Sequence, residues 1–187
     1  MSAVILENFQ DSPFRKDRVD PETIAAMAVI TSTVSRELSI PVGINILRND
    51  ALAALSVAAC CGGQFLRVNV LAGSVATDQG IVEGKAADLL RRREALAADV
   101  AILADVDVKH ATALDTRPLT AQAQDLVHRS GADAVLVTGQ GTGEAVDMQE
   151  LESVAEAVRP TPTLAASGTT PASLPSVLQR CAGAIVG

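Results

Sequence analysis

Three ionisable residues stand two apart near the middle of the chain, in Ala104-Asp105-Val106-Asp107-Val108-Lys109. Residues two apart along a strand share a face. Asp105, Asp107 and Lys109 are therefore predicted to point one way, and Val106 and Val108 the other. An earlier run, Arg67-Val68-Asn69-Val70, repeats the pattern with Arg67 and Asn69. If the apolar set faces helices, the polar set converges at one end of a sheet, where Asn45, Thr138 and Ser167 join it by position. Charges inside a fold are unfavourable unless paired or used. An ion-paired plug, with Asp105 or Asp107 neutralising Lys109 and Arg67, is the structural alternative. Successive charges on one face near a strand's end favour a working site.

Acid/base catalysis is the first chemistry this set supports, with Lys109 and Asp105 as the pair and Asp107 beside them. Asn45, Arg67 and Asn69 would position a substrate, with Glu7, His110 and Thr138 around it. A divalent cation held by Asp105, Asp107 and Glu7 ranks second, because a lysine beside them competes for the same carboxylates. A Schiff base on Lys109 ranks third, because neighbouring aspartates favour the protonated amine. No metal and no cofactor is assigned. His110 has the opposite parity and is expected on a loop or rim. His128, late in a helix, is expected at the surface, complementing the dipole.

Two glycine-containing stretches suit an anion. Ser167-Gly168-Thr169-Thr170-Pro171 offers backbone N–H groups before a helix whose first turn Pro171 marks, and late loops of barrels often bind phosphate. Ser167, Gly168, Thr169 and Thr170 are the predicted phosphate grip. Gly139-Gln140-Gly141-Thr142-Gly143 is the weaker candidate; no Gly-Lys-Ser/Thr follows, so it is not a P-loop.

The elements that position these residues alternate. Seven short apolar runs recur: Ala3–Leu6, Val42–Leu47, Phe65–Leu71, Val100–Val108, Ala134–Thr138, Thr163–Ala166 and Gly183–Val186. Segments of helical period lie between them. Asp20-Pro21-Glu22 opens one, whose apolar stripe runs through Ile24, Met27, Thr31, Val34 and Leu38. Asp147-Met148-Gln149-Glu150 reads as a capping box for another. Gly62, Gly131 and Gly183 sit where helices turn back into strands. Strand, polar loop and helix in regular alternation mean a parallel sheet in one domain, residues 1–187. A doubly wound sheet would show a glycine-rich turn after its first strand, but Glu7-Asn8-Phe9 stands there. The predicted fold is an α/β, parallel (β/α)8 barrel of the phosphate-binding type, incomplete, with strands 2 to 8 visible.

Composition narrows the partners. A net charge of −7 and a pI near 4.8 argue against a nucleic-acid surface. No apolar run is long enough for a membrane span. Met1–Asn8 shows no basic n-region or cleavage site. Cys60, Cys61 and Cys181 have no metal or disulfide spacing and are expected as small buried side chains in a reducing compartment. A cytoplasmic protein that binds a small phosphorylated ligand and assembles as a homo-oligomer is the expectation.

At these residues the chain resembles the BtpA (BtpA/SgcQ-like) family. The matching segments are Ile5-Leu6-Glu7-Asn8-Phe9 with Pro13-Phe14; Pro41–Asp50; Phe65–Val70; Thr77-Asp78-Gln79-Gly80 with Glu83-Gly84; Ala104–His110; and Ser167-Gly168. The resemblance implies a phosphate-binding βα barrel, whose cyanobacterial members are linked to photosystem I biogenesis and which also occurs without photosynthesis. An enzyme acting on a phosphorylated metabolite is thus one expectation, and a non-enzymatic factor in membrane-complex biogenesis the other. Family members begin with one more strand, ending in a His- and Pro-rich loop, and continue past the eighth. The first and last strands are therefore expected to expose unpaired edges, so that the chain is aggregation-prone, pairs those edges with another chain, or is a fragment of a longer reading frame.

Overall fold

Apolar runs of four or five residues are too short for stable helices, and here they pair as strands. The computed structural model describes residues 3–108, 110–139, 145–166 and 168–186. In chain order the first elements are β1 (Val4–Glu7), α1 (Pro21–Glu37), β2 (Val42–Asn45), α2 (Ala51–Cys61), β3 (Phe65–Val68), β4 (Ser74–Thr77), β5 (Gly80–Glu83) and α3 (Ala86–Ala95). There follow β6 (Ala101–Asp105), β7 (Ala111–Ala113), α4 (Leu119–His128), β8 (Ala134–Val137), α5 (Met148–Ala157), β9 (Thr163–Ala165), α6 (Leu174–Leu178) and β10 (Gly183–Ala184).

Each of the seven predicted runs holds a strand of one sheet, in the order β1-β2-β3-β6-β8-β9-β10. Every neighbour is also the next sheet strand along the chain, and a helix connects each successive pair. A doubly wound sheet reverses at a switch point. This order does not reverse, which is the winding of a βα barrel. The chain divides into two compact units, Met1–Val68 with Lys85–Ile102, and Asn69–Gly84 with Leu103–Gly187.

In the first unit, Glu7 pairs with Asn45 and Ile44 with Leu66. Val42, Ile44 and Leu66 are fully buried, and Ile44 lies against the turn where Gly63 follows α2. The alternate residues Ile5, Glu7, Gly43, Asn45, Phe65 and Arg67 occupy the other face. There the Phe65 ring covers Gly43 so closely that a Cβ at 43 would run into it. Helix α1 starts at Pro21 as predicted, but the Asp20 carboxylate takes Arg15 Nε instead of a helix N–H. Met27 and Thr31 are buried, whereas Leu38 is exposed. Asp50 caps α2, accepting from the Ala53 N–H, and Gly62, at φ +83°, ends it in the left-handed conformation that favours glycine.

In the second unit, Leu103, Asp105, Ala134, Leu136, Leu164 and Gly183 share one face by register. Val135, Val137, Thr163 and Ala165 take the other. Asp147 caps α5 as predicted, accepting from the Gln149 and Glu150 N–H groups at 2.7 and 3.0 Å. Gly183 belongs to β10 and is not the helix-ending glycine predicted. A three-stranded antiparallel sheet, β5-β4-β7, was not anticipated. It inserts between β3 and α3 and between β6 and α4, and buries Val82.

Candidate functional site

Polar side chains cluster at the C-terminal ends of the sheet strands in each unit. In the first, Glu7 and Asn45 stand opposite each other where β1 and β2 end. Asn45 Nδ2 donates to Glu7 Oε1 at 2.9 Å, and Arg67 Nη1 reaches the same oxygen at 3.5 Å. The structure thus brings three predicted residues together, and the partner it gives Arg67 there is Glu7. Neighbouring backbone is pinned by residues the sequence analysis did not single out. Asn8 brackets Leu47, accepting its N–H at 2.7 Å and donating to its carbonyl at 3.0 Å. Asp50 accepts from the N–H groups of Val19 and Ala53, both at 3.0 Å. The aspartate just before an apolar helical run was a cap signal in the sequence; Asn8 carried none.

In the second unit, Asp105 ends β6 with only 4% of its surface exposed. Asn69 Nδ2 donates to its Oδ2 at 2.8 Å. Asn69 Oδ1 is buried and has no hydrogen-bond partner. Asp107 departs from expectation. Strand β6 stops at Asp105, so alternation no longer fixes where Asp107 points. Its Oδ1 accepts the Val108 N–H at 2.8 Å, and its carbonyl accepts from Thr138 Oγ1 at 3.2 Å. Thr138 therefore braces the loop through backbone. Lys109 and Ser167 lie outside the described residues, as does Gln140–Gly143 of the weaker glycine-rich candidate. His110 is exposed, at φ +53°, on the loop position its parity predicted.

The phosphate loop also needs correction. No helix starts at Pro171; α6 begins at Leu174 and has five residues. Thr170 is exposed, but it shares its polar groups with Ser173. Its N–H donates to Ser173 Oγ at 2.9 Å, and its Oγ1 accepts the Ser173 N–H at 3.2 Å. Such a reciprocal pair closes a turn. Gly168, at φ +63°, turns the chain, and Thr169 is 8% exposed with its Oγ1 buried and unpartnered.

Elsewhere, Arg117 holds the Asp115 carboxyl below its ordinary range by side-chain and backbone hydrogen bonds. Burial, and then the neighbouring Cys60, push the Cys61 thiol up. Cys60 is exposed, contrary to the expectation of buried cysteines, because it falls on the outer side of the last turn of α2. His128 is exposed in the last turn of α4, as expected. Among the described residues no three His, Cys, Asp or Glu side chains gather as a metal site would require. A cavity of about 440 Å³ opens at the N-terminal end of β2, beside Leu38, Ile40 and Gln64, at the opposite strand end from the clusters.

Comparison with known proteins agrees with the winding of the sheet. The BtpA family matches residues 1–187. The chain is 45% identical over 186 residues to the photosystem I biogenesis protein BtpA of Synechocystis, covering all of this chain and 65% of that protein. A Pyrococcus abyssi protein is 45% identical over 185 residues, covering 99% of this chain and 70% of the relative. A mitochondrial protein of Caenorhabditis elegans is 34% identical over 90% of this chain and 63% of its own. The chain thus spans about two thirds of the length of these relatives. Among solved structures, FabK from Thermotoga maritima superposes with a TM-score of 0.60 at 17% identity, over 88% of this chain and 48% of that one. N-(5'-phosphoribosyl)anthranilate isomerase from Pyrococcus furiosus gives 0.58 at 12% identity, over 100% and 87%. At such identities the likeness is one of fold. Among the described residues no helix is long and apolar enough to cross a membrane.

Proposed function

This chain belongs to the BtpA family, and from that premise we propose that it binds a small phosphorylated metabolite and converts it by acid/base chemistry. The observation that carries the reading is Asp105, a carboxylate almost sealed from solvent at the end of a parallel strand and held by Asn69. Buried charge is retained where it is paired or used, and the C-terminal strand ends are where βα barrels keep their active sites.

In this reading Asp105 and Lys109 are the acid/base pair. Asp107 shapes the loop between them, its carboxylate closing a local turn. Asn69, Thr138 and His110 line the substrate, whereas Glu7, Asn45 and Arg67 bind one another and brace the strand ends of the first unit. Ser167, Gly168 and Thr169 take the phosphate, with Thr170 holding their loop in shape through Ser173. The architecture behind these roles is an incomplete (β/α)8 barrel of the phosphate-binding type in a cytoplasmic homo-oligomer. Titration calorimetry of the chain and of Asp105→Asn with a panel of sugar phosphates tests the reading. Binding by the chain, with turnover that the substitution lowers, supports it; no binding by any phosphate ester removes it.

The likeness to the Synechocystis protein favours a second reading, a non-enzymatic factor in membrane-complex assembly. Photosystem I levels restored by an Asp105→Asn relative in a cyanobacterium lacking its own copy would favour that role over chemistry.

A further inference from the structure

Among the described residues, most buried side-chain oxygens without a hydrogen-bond partner lie away from the polar strand ends. Thr31 and Ser35 lie on α1, Thr163 is on the face of β9 away from Asp105's register, and Asp17 Oδ1 faces Lys85 Nζ at 3.7 Å. Asn69 Oδ1 and Thr169 Oγ1 are different. Both belong to the second unit, and both stand just past the C-terminal end of a sheet strand, β3 and β9.

The orientation of Asn69 is dictated by its neighbour. Asp105 Oδ2 accepts from Asn69 Nδ2 at 2.8 Å, which fixes the amide, because its Oδ1 carries no hydrogen to donate. Flipping the amide would set oxygen against oxygen. Oδ1 is therefore committed to the other side, as a buried acceptor with no donor among the described residues. Native structures leave few such atoms, and each calls for a specific cause. A hydroxyl supplies one donor, which matches one acceptor.

We propose that Asn69 Oδ1 accepts a hydrogen bond from a hydroxyl of the bound ligand, so that the site selects hydroxylated, polyol-type phosphate esters over esters lacking that hydroxyl. The inference rests on the phosphate-ester reading above. Asn69 is then at once the positioning residue for Asp105 and the specificity-determining residue for substrate. Thr169 Oγ1 donates to the phosphoryl group and does not discriminate.

The test is calorimetric titration with glycerol 3-phosphate, propyl phosphate and 2-aminoethyl phosphate. The unsubstituted chain is expected to bind glycerol 3-phosphate roughly tenfold more tightly than propyl phosphate, the discrimination typical of one buried hydrogen bond. Asn69→Leu is expected to bring that ratio to about one, whatever it does to the affinity for either ester; Thr169→Val is expected to weaken both esters and leave the ratio intact. Equal affinity for the two esters in the unsubstituted chain overturns the inference without needing any variant to fold. A ratio unchanged in Asn69→Leu, or a preference for 2-aminoethyl phosphate, overturns it too. If no ester binds, the phosphate reading fails separately. Ribitol and 1,5-pentanediol are then compared by thermal shift, and stabilisation by ribitol alone sustains the hydroxyl preference, while its absence ends it.

Discussion

The two polar clusters are built from the same residue types at the same strand ends, yet they are completed differently. In the first unit, Glu7 collects Asn45 and Arg67, Asn8 brackets Leu47, and Asp50 caps α2. Each of those bonds ties one piece of this unit to another. In the second unit, Asp105 is deeper and Asn69 holds it, but Asn69 Oδ1 and Thr169 Oγ1 end in nothing. Charge divides in the same way. The first unit has ten basic and ten acidic residues, the second five and twelve, so the whole net charge of −7 belongs to the second. A phosphate ester approaching a unit of that sign is repelled at long range and must be held by close hydroxyl and N–H donors. A cluster satisfied from within is scaffold. One left with unmatched buried atoms in an acidic unit is built around something else.

The sharpest way to break that contrast is at the two carboxylates. Asp105→Asn is expected to reduce turnover of a phosphate ester by about 100-fold or more, the scale of a lost general acid or base, and to leave the urea midpoint nearly unchanged. Glu7→Gln is expected to do the reverse, lowering stability by about 1–3 kcal/mol as Asn45 and Arg67 lose a charged acceptor, with turnover changed by less than about tenfold. Matching effects from the two substitutions, in assays of activity and unfolding on the same samples, would dissolve the distinction.

The next test asks how rigid the first unit's scaffold is. Gly43→Ala drives a methyl group into the Phe65 ring and is expected to cost about 1–3 kcal/mol through overpacking. Trimming the ring in Gly43→Ala/Phe65→Leu is expected to recover part of that loss. A single variant as stable as the parent, in urea unfolding, would mean that the sheet yields there.

How much of this was legible follows from which forces wrote it. The seven strands were, because burial against helices demands continuous apolar runs such as Val42-Gly43-Ile44 and Ala134-Val135-Leu136-Val137. Glu7, Asn45 and Arg67 were found by their position at strand ends. Alternation holds only while the ladder lasts, and the sequence gives no sign that β6 stops at Asp105 while Val106 and Val108 remain apolar, so parity does not fix where Asp107 points. The small sheet β5-β4-β7 was invisible because its members are short and polar on one side. Ala111-Thr112-Ala113 is a strand only because β4 offers a partner distant in sequence. The phosphate loop was half read: Pro171 looks like a helix start, but Thr170 and Ser173 close a turn that delays the helix to Leu174.

A smaller effect separates the unpartnered oxygens from one another. Thr31→Val and Thr163→Val remove a buried hydroxyl that has no partner and keep the shape, so each is expected to raise stability by about 1 kcal/mol and leave ligand affinity alone. Thr169→Val is expected to raise stability by a similar amount and to weaken phosphate-ester binding, the exchange of function for stability seen where a site is built from strained or unmet groups. Thermal unfolding paired with calorimetry reads both quantities. If Thr169→Val binds as the parent does, Thr169 belongs with the structural threonines.

The smallest effect concerns a charged group of the second unit that lies outside its cluster. Arg117 donates to both Asp115 oxygens, with its Nη2 2.7 Å from Oδ2, and also pairs with Asp125 at 2.9 Å. These bonds favour ionised Asp115 and lower its carboxyl pKa in the folded chain. The unfolded chain titrates this group near its ordinary value of about 3.9. Between the two values the unfolded state binds the proton and the folded state does not, so stability rises with pH across that window. The contribution is complete above about pH 4 and is lost as pH falls through the lowered folded value. Because the pair is open to water, salt screens it and the gain is slight. Asp115→Asn is therefore expected to flatten the acid limb of the urea midpoint between pH 5 and pH 2 at low salt, to make little difference at pH 7 beyond the lost ion pair, and to leave phosphate-ester binding unchanged. An altered binding affinity would place the Arg117 turn inside the functional cluster, and an acid limb as steep as the parent's would show that this carboxylate takes no part in acid unfolding.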